Sequence, residues 1–79
     1  MVTENTYKID IEGELERIKR DIADMEEAQM DQIFVSVFSG AKNEREFIAA
    51  ARAFVRARGY AAVHEYEDDE LVLIIRKVA

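Results

Sequence analysis

The residues of this chain that are able to do chemistry are few and widely spaced. His64 is the single histidine and there is no cysteine, so the sequence offers neither a thiolate nucleophile nor a Cys-type zinc site. A lone histidine without a partnered nucleophile does not make a catalytic triad. We therefore expect no catalytic residue, no bound metal and no cofactor, and we interpret His64 as a strand residue at or near the surface.

The acidic run from Glu67 to Glu70 is a second candidate, because carboxylate oxygens suit calcium or magnesium. The run lacks the glycine and the alternating ligand spacing of an EF-hand loop. Adjacent like charges repel one another and are tolerated only in water. The pattern therefore favours the solvated tip of a β-hairpin over an ion site.

Basic residues gather in the middle of the chain. Residues 40–62 carry five basic residues against two acidic ones, whereas the net charge of the whole chain is −6. In the segment Ser39 to Asn43, Lys42 and the amides that open a predicted helix would face an anion. Arg45, Arg52 and Arg56 lie on the exposed face of that helix. These four bases form an alternative nucleic-acid or anion site, although the overall negative charge argues against nucleic acid as the partner.

The strands that position these residues are organised around Leu71 to Ile75, five apolar residues without polar alternation. Such a run is typical of a strand in the interior of a covered sheet. Three further strands are predicted. Tyr7, Ile9 and Ile11 alternate with polar residues up to Gly13, and the other two strands span Gln32 to Phe38 and Tyr60 to Tyr66. We expect Leu71 to about Val78 to lie between these last two strands, antiparallel to both.

Two helices complete the pattern. The first runs from Glu14 to about Met30, and its apolar stripe could also serve as a short coiled-coil seam. The second begins at Asn43, which forms a capping-box pattern with Glu46, and it ends before Gly59. The predicted core stripes are Leu15, Ile18, Ile22 and Met25 in the first helix, and Phe47, Ile48, Ala51, Phe54 and Val55 in the second.

The predicted order is therefore βαβαββ, an α/β two-layer sandwich in which a four-stranded mixed sheet carries two helices on one face. Its 79 residues make one small domain over 1–79, with residues 1–5 expected to be disordered. We find no apolar run of membrane-spanning length and no signal-peptide pattern. The absence of cysteine also disfavours a secreted domain of this size, so we expect a cytoplasmic protein without membrane contacts.

Short motifs near both ends carry a family resemblance. Asp10 and Gly13 fit a D-x-x-G that ends the first strand, and Gly59-Tyr60 fits a pair that ends the second helix. The acidic hairpin from Glu65 to Glu70 and the closing Ile75-Arg76-Lys77 complete the match. In these motifs and in the predicted order of its elements, the chain resembles the TusA/SirA family of sulfur carriers. The fold of that family is shared with the C-terminal domain of bacterial translation initiation factor three. Alba-type nucleic-acid binders have the same element order but are basic overall.

The chain departs from the family at its reactive motif. Counted from Gly13, the cysteine of the family motif C-P-x-P falls on Glu16, and its prolines fall on Arg17 and Lys19. A carboxylate cannot carry sulfane sulfur. The resemblance therefore implies the fold, and we expect a non-enzymatic binding or accessory domain that acts through protein–protein contacts. Nucleic-acid binding by the basic second helix is the alternative.

The expected contact surface is the side of the sheet that the helices leave open. Successive strand residues face opposite ways, so one set of apolar side chains in the second strand must point outward. A homodimer formed through this face is the simplest closed symmetric assembly that would bury these side chains. The N-terminal segment, or the acidic first helix of another chain, is the alternative cover. The predicted interface residues are Phe34, Ser36, Phe38, His64, Tyr66, Val72 and Ile74.

Overall fold

The computed structural model describes residues 7–78, so the predicted disorder of residues 1–5 lies outside the described part. Its elements are α1 (Ile11–Glu27), β1 (Gln32–Phe38), α2 (Glu44–Arg56), β2 (Tyr60–Glu67) and β3 (Glu70–Lys77). The order is thus αβαββ, an α+β arrangement. No helix within residues 7–78 has the length and apolar character needed to cross a membrane.

β3 is the central strand, as its sequence predicts. The strand order is β1-β3-β2, and β3 is antiparallel to both neighbours. Leu71, Leu73 and Ile75 of β3 are fully buried. The register places Val35 of β1 opposite Leu73, and Ala62 of β2 opposite Ile75. Directly opposed residues share a face, so one side of all three strands enters the core.

The predicted four-stranded mixed sheet is wrong. The described residues form three strands, all antiparallel to their neighbours, and residues 7–10 adopt no regular secondary structure. Ile11 and Gly13 belong instead to the first turn of α1, where the Asp10 carboxylate accepts a hydrogen bond from the Gly13 N–H (3.2 Å). Asp10 is therefore the N-cap of a helix. Three alternating apolar residues are too few to outweigh that signal.

The segment before α1 is held by the side chain of Asn43, 34 residues further along the chain. The Ile9 N–H donates to Asn43 Oδ1 (2.8 Å), and Asn43 Nδ2 donates to the Ile9 carbonyl (2.9 Å). Ile9 is buried in the core. Asn43 occupies the N-cap position of α2, but its side chain makes no cap hydrogen bond. The predicted capping box with Glu46 is therefore wrong, because the amide is engaged by Ile9.

Both helices pack on the same side of the sheet, and their predicted apolar stripes are confirmed. The most buried helix residues are Ile18, Ile22 and Met25 of α1 and Phe47, Ala51 and Val55 of α2. The predicted stripe residues Leu15, Ile48 and Phe54 are half-buried at the rim of this core. The side chains from the two helices and the sheet form one hydrophobic cluster.

The two helices end in left-handed residues of different kinds. After α1, the Met30 N–H donates to the Met25 carbonyl and the Gln29 N–H donates to the Glu26 carbonyl, which is a Schellman motif. Its left-handed position is Gln29, with φ of 58°. After α2, Gly59 has φ of 85°, as predicted for the residue that ends this helix. A side chain with a Cβ is strained in this region, so Gln29 carries a cost that Gly59 avoids.

Replacing Gln29→Gly is expected to raise the free energy of unfolding by about 1 kcal/mol, because glycine adopts the left-handed conformation without a steric penalty. The matched opposite change, Gly59→Ala, is expected to lower it by a similar amount. Urea unfolding followed by circular dichroism measures both. An unchanged midpoint in Gln29→Gly would contradict the left-handed geometry at this position.

Asn43 provides a test that separates capping from tethering. Aspartate caps helices as well as asparagine does, so a simple cap predicts that Asn43→Asp is neutral. Aspartate has no N–H to donate to the Ile9 carbonyl, and we expect Asn43→Asp to lower the unfolding free energy by about 1–3 kcal/mol. Glu46→Ala should have little effect, because Glu46 is exposed and outside any capping box. Chemical denaturation of the two variants decides between the two roles.

Candidate interaction surface

The side of the sheet turned away from the helices is uncovered within residues 7–78. It is built by the even-numbered residues of β1 and β3 and the odd-numbered residues of β2, because these positions oppose one another in the register. We call this surface the open face. Its rows across the sheet are Gln32 with Arg76 and Ala61, Phe34 with Ile74 and Val63, Ser36 with Val72 and Glu65, and Phe38 with Glu70 and Glu67.

The centre of the open face is apolar. Phe34 is 62% exposed, Phe38 69% and Val63 57%, while Val72 and Ile74 are half-buried between them. Phe34, Ile74 and Val63 form an unbroken apolar row across all three strands. A contiguous patch of large apolar side chains is the usual mark of an interaction site.

The two ends of the open face carry opposite charge. The end near the β2–β3 hairpin holds Glu65, Glu67 and Glu70. The other end holds Arg76, whose Nε donates to Gln32 Oε1 (2.9 Å). A partner that buries the apolar centre therefore meets an acidic end and a basic end, which gives the surface a direction along its strands.

Two of the seven predicted interface residues lie on the other side of the sheet. His64 opposes Leu73 and Tyr66 opposes Leu71, so both point towards the helix layer. The Tyr66 hydroxyl donates to Glu44 Oε2 on α2 (2.8 Å). The structure therefore corrects the placement of His64 and Tyr66 and keeps Phe34, Ser36, Phe38, Val72 and Ile74 on the open face.

Val63 is a large apolar residue of the open face that was not among the predicted interface residues. The stretch from Tyr60 to Val63 contains no polar residue, so its pattern does not indicate which residues face the core. Tyr66 is 56% exposed despite facing the helix side. The size and aromatic ring of Tyr66 suggested that it shares a patch with Phe34, but only the register shows on which face of the sheet it lies. The signal available in the sequence was the alternation of side chains along a strand, since Val63 and the buried Ala62 must point in opposite directions.

The predicted anion cradle at the start of α2 has its backbone donors engaged. The Ser39 N–H donates to the Asp69 carbonyl (2.8 Å), and the Lys42 N–H donates to the Tyr7 carbonyl (3.0 Å). The Gly40 N–H donates to Glu44 Oε1 (2.9 Å), so a carboxylate of the chain itself occupies an anion's place. Lys42 of this loop is exposed to solvent.

The three predicted arginines lie along one side of α2. Arg52 and Arg56, together with Ala49 and Ala53, form one wall of a groove of about 730 Å³ beside β2. We call it the arginine groove; its remaining lining residues are Gly59, Tyr60, Ala61, Ala62 and Val78. Arg45 lies two helical turns before Arg52 on the same stripe. These arginines are therefore far from the open face and define a second surface.

Within residues 7–78, no three histidine, cysteine or acidic side chains gather closely enough to hold a metal ion. His64 instead stacks edge to face with Tyr66, with ring centroids 5.9 Å apart. The acidic residues 67–70 form the predicted hairpin tip, in which Asp68 has φ of 54°. Glu67 and Glu70 oppose each other at this tip, and Asp68 and Asp69 form the turn between them.

No protein-family model, no curated protein and no solved structure matches this chain. Its function must therefore be inferred from the two surfaces themselves. The resemblance of its motifs to the TusA/SirA family remains a prediction.

Two tyrosine hydroxyls link the helices to β2 and provide a pH-dependent test. Tyr60 donates to Glu26 Oε1 (2.7 Å), and Tyr66 donates to Glu44. The hydrogen bond to the carboxylate is the main cause that raises the pKa of each tyrosine above its ordinary value of 10.0. Partial burial adds to the rise in both, and the charge of Arg45 opposes it at Tyr66.

Because these pKa values are higher in the folded state, the stabilisation is complete below pH 10 and is lost as the pH rises through the folded-state values. We expect the unfolding free energy of the wild type to fall more steeply above pH 10 than that of the double variant Tyr60→Phe with Tyr66→Phe. Denaturant titrations at neutral and alkaline pH measure this difference. Equal alkaline slopes would show that the two hydrogen bonds are not maintained in solution.

Proposed function

We propose that this chain is a non-enzymatic protein-interaction domain that pairs with a second copy of itself through the open face. The observation that supports this proposal is the apolar row of Phe34, Ile74 and Val63 across the whole sheet, with Phe34 and Val63 more than half exposed. The proposed lack of enzymatic activity rests on the sequence, in which Glu16 stands where the TusA/SirA family has its reactive cysteine.

The size of the open face sets the expected strength of the dimer. Three strands about 4.8 Å apart and about eight residues long present roughly 400 Å² in projection. Specific interfaces use roughly 600–1,000 Å² on each partner, so the open face is smaller than this range and favours a weak contact. Burial of each large apolar side chain contributes roughly 1.5–3 kcal/mol, and part of this gain offsets the entropy lost on association. We therefore expect a reversible dimer with a micromolar dissociation constant.

The charges at the two ends select the orientation of the pair. A two-fold axis that lies between the sheets and perpendicular to the strands reverses the strand direction of the second copy. The acidic end, with Glu67 and Glu70, then lies over Arg76 of the second copy. An axis parallel to the strands would superimpose the two acidic ends and is disfavoured by like-charge repulsion. The proposed dimer is therefore antiparallel, with β3 over β3.

The dimer is tested by sedimentation equilibrium of the wild type and of Phe34→Glu with Val63→Glu. These two side chains lie on opposite edge strands and are largely exposed, so the variant retains the core. We expect a dimer of the wild type at ~100 μM and a monomer of the variant. Arg20→Glu is the matched control, because it makes the same change in net charge on the exposed surface of α1. A wild type that stays monomeric at this concentration would rule the proposal out.

The orientation has its own matched pair of variants. Arg76 and Lys77 are neighbours in β3 and point to opposite faces, because Lys77 opposes Tyr60. Arg76→Glu is expected to weaken the dimer through repulsion from the acidic end of the second copy. Lys77→Glu makes the same charge change on the helix side and is expected to leave the dimer unchanged. Equal effects of the two substitutions would contradict the antiparallel orientation.

A further inference from the structure

The outer edge of β2 presents unpaired backbone groups. The Val78 N–H donates to the Gly59 carbonyl (3.1 Å), which sets the phase of the β2–β3 ladder. Because hydrogen-bonded and non-hydrogen-bonded pairs alternate along an antiparallel ladder, every second residue of β2 directs its N–H and C=O away from β3. Those residues are Tyr60, Ala62, His64 and Tyr66, and among residues 7–78 no hydrogen bond meets these outward groups.

The opposite edge of the sheet is partly closed. The Lys77 N–H donates to the Asp31 carbonyl (3.3 Å), so the even-numbered residues of β1 direct their backbone groups outward. Arg17 donates to the Ser36 carbonyl (3.5 Å), and the Tyr7 hydroxyl donates to the Phe38 carbonyl (3.2 Å). Side chains thus cover part of the β1 edge, which is one way in which proteins protect an edge strand. The edge of β2 has no such cover within the described residues.

The arginine groove lies beside the first residues of this edge, Tyr60 to Ala62. Its helix wall is formed by the small residues Ala49 and Ala53, and Ala62 of β2 is one of its lining residues. α2 runs antiparallel to β2, because Glu44 at its start contacts Tyr66 and Arg56 at its end lies beside Tyr60. A strand added to the β2 edge would therefore place every second side chain against α2, in the space that the two alanines leave.

The charge of the groove indicates which strand fits. Arg52 and Arg56 are exposed, and no acidic side chain lines the groove. Arg45 continues the stripe towards Tyr66. A second copy of β2 added to this edge would bring two sets of these arginines together, and like charges at close range oppose that pairing. An acidic strand meets complementary charge instead.

We propose that the β2 edge and the arginine groove bind an extended acidic peptide segment by β-strand addition. The backbone of the peptide pairs with the outward groups of Ala62 and His64, and its alternate carboxylates contact Arg52 and Arg56. Main-chain hydrogen bonds supply affinity in this mode, and the alternate side chains supply specificity. The arginines of this site lie on the helix side of the sheet, whereas the remaining side chains of the added strand extend the open face beside Val63.

The probe is a fluorescently labelled peptide of alternating glutamate and valine that has the same length as β2, 8 residues. Its binding is followed by fluorescence anisotropy. We expect saturable binding at physiological ionic strength. Arg52→Glu with Arg56→Glu should weaken it by roughly tenfold or more. The control is the double variant Lys19→Glu with Arg20→Glu on the exposed surface of α1. It makes the same change in net charge and should leave the affinity unchanged. Circular dichroism of each variant verifies the fold.

The backbone component is tested on the peptide, so that the protein stays intact. Methylation of every second peptide nitrogen removes the N–H donors of one peptide edge and leaves the charge unchanged. Two such peptides, methylated in the two alternate phases, distinguish the edge that pairs with β2 from the edge that faces solvent. We expect one phase to abolish binding and the other to have a much smaller effect. Equal affinities of both methylated peptides and the parent would overturn strand addition.

Two further measurements separate this proposal from its competitors. Phe34→Glu should bind the probe as the wild type does, because Phe34 lies on β1, the opposite edge strand of the sheet. A single-stranded oligonucleotide of matched charge should compete poorly. Tighter binding of the oligonucleotide, with an affinity that falls steeply with salt, would show that the ligand of this site is a nucleic acid and not a peptide. Absence of probe binding, or binding unaffected by Arg52→Glu with Arg56→Glu, would overturn the proposal.

Discussion

Burial of the central strand under two helices is the constraint on which the rest of the structure depends. Leu71, Leu73 and Ile75 of β3 are fully buried, and the helix residues Ile18 and Phe47 in the same core are fully buried too. A chain of 79 residues has apolar surface for one such core. Both helices are therefore needed on the same face of the sheet, and among residues 7–78 no helix remains to cover the other face.

The properties of the open face and of the two sheet edges result from the packing of both helices on one face of the sheet. Half of the side chains of each strand must point away from the helices, and in β1 this half includes Phe34 and Phe38. α1 lies over β1 and α2 lies beside β2, so each helix also shapes the edge near it. α1 and the preceding residues supply side chains that cover part of the β1 edge. α2 instead supplies small residues and arginines next to β2, which leaves that edge accessible.

Long-range polar contacts complete the domain at places where the local sequence favours something else. Asn43 has the residue type and position of a helix cap, yet its amide pairs with both backbone groups of Ile9. Glu44 lies in the first turn of α2 and connects Gly40 with Tyr66. In both cases one side chain holds segments that are distant in sequence. A segment without regular structure, such as residues 7–10, is fixed in this way instead of by strand pairing.

The sequence by itself determined the elements whose signals are local and repeated. The unbroken apolar run of β3, the 3.6-residue stripes of both helices and Gly59 as a left-handed helix end are set by neighbouring residues, and each was predicted from them. The tip of the hairpin was predicted because adjacent carboxylates need water. From the same patterns, all seven proposed interface residues were assigned to the open face, and the register places five of them there.

Only the tertiary structure decided the features that depend on pairing between distant segments. The four residues from Tyr60 to Val63 are all apolar, so the face of Val63, His64 and Tyr66 was set by the register with β3. The short alternation from Tyr7 to Ile11 resembled a strand, but Asp10 capped a helix and Ile9 found its hydrogen-bond partner 34 residues away. The outer edge of β2, which is unpaired among residues 7–78, likewise appears only when the strand order is known. Local patterns specify which residues prefer burial, whereas the pairing of strands specifies which side of the sheet, and which edge, each residue occupies.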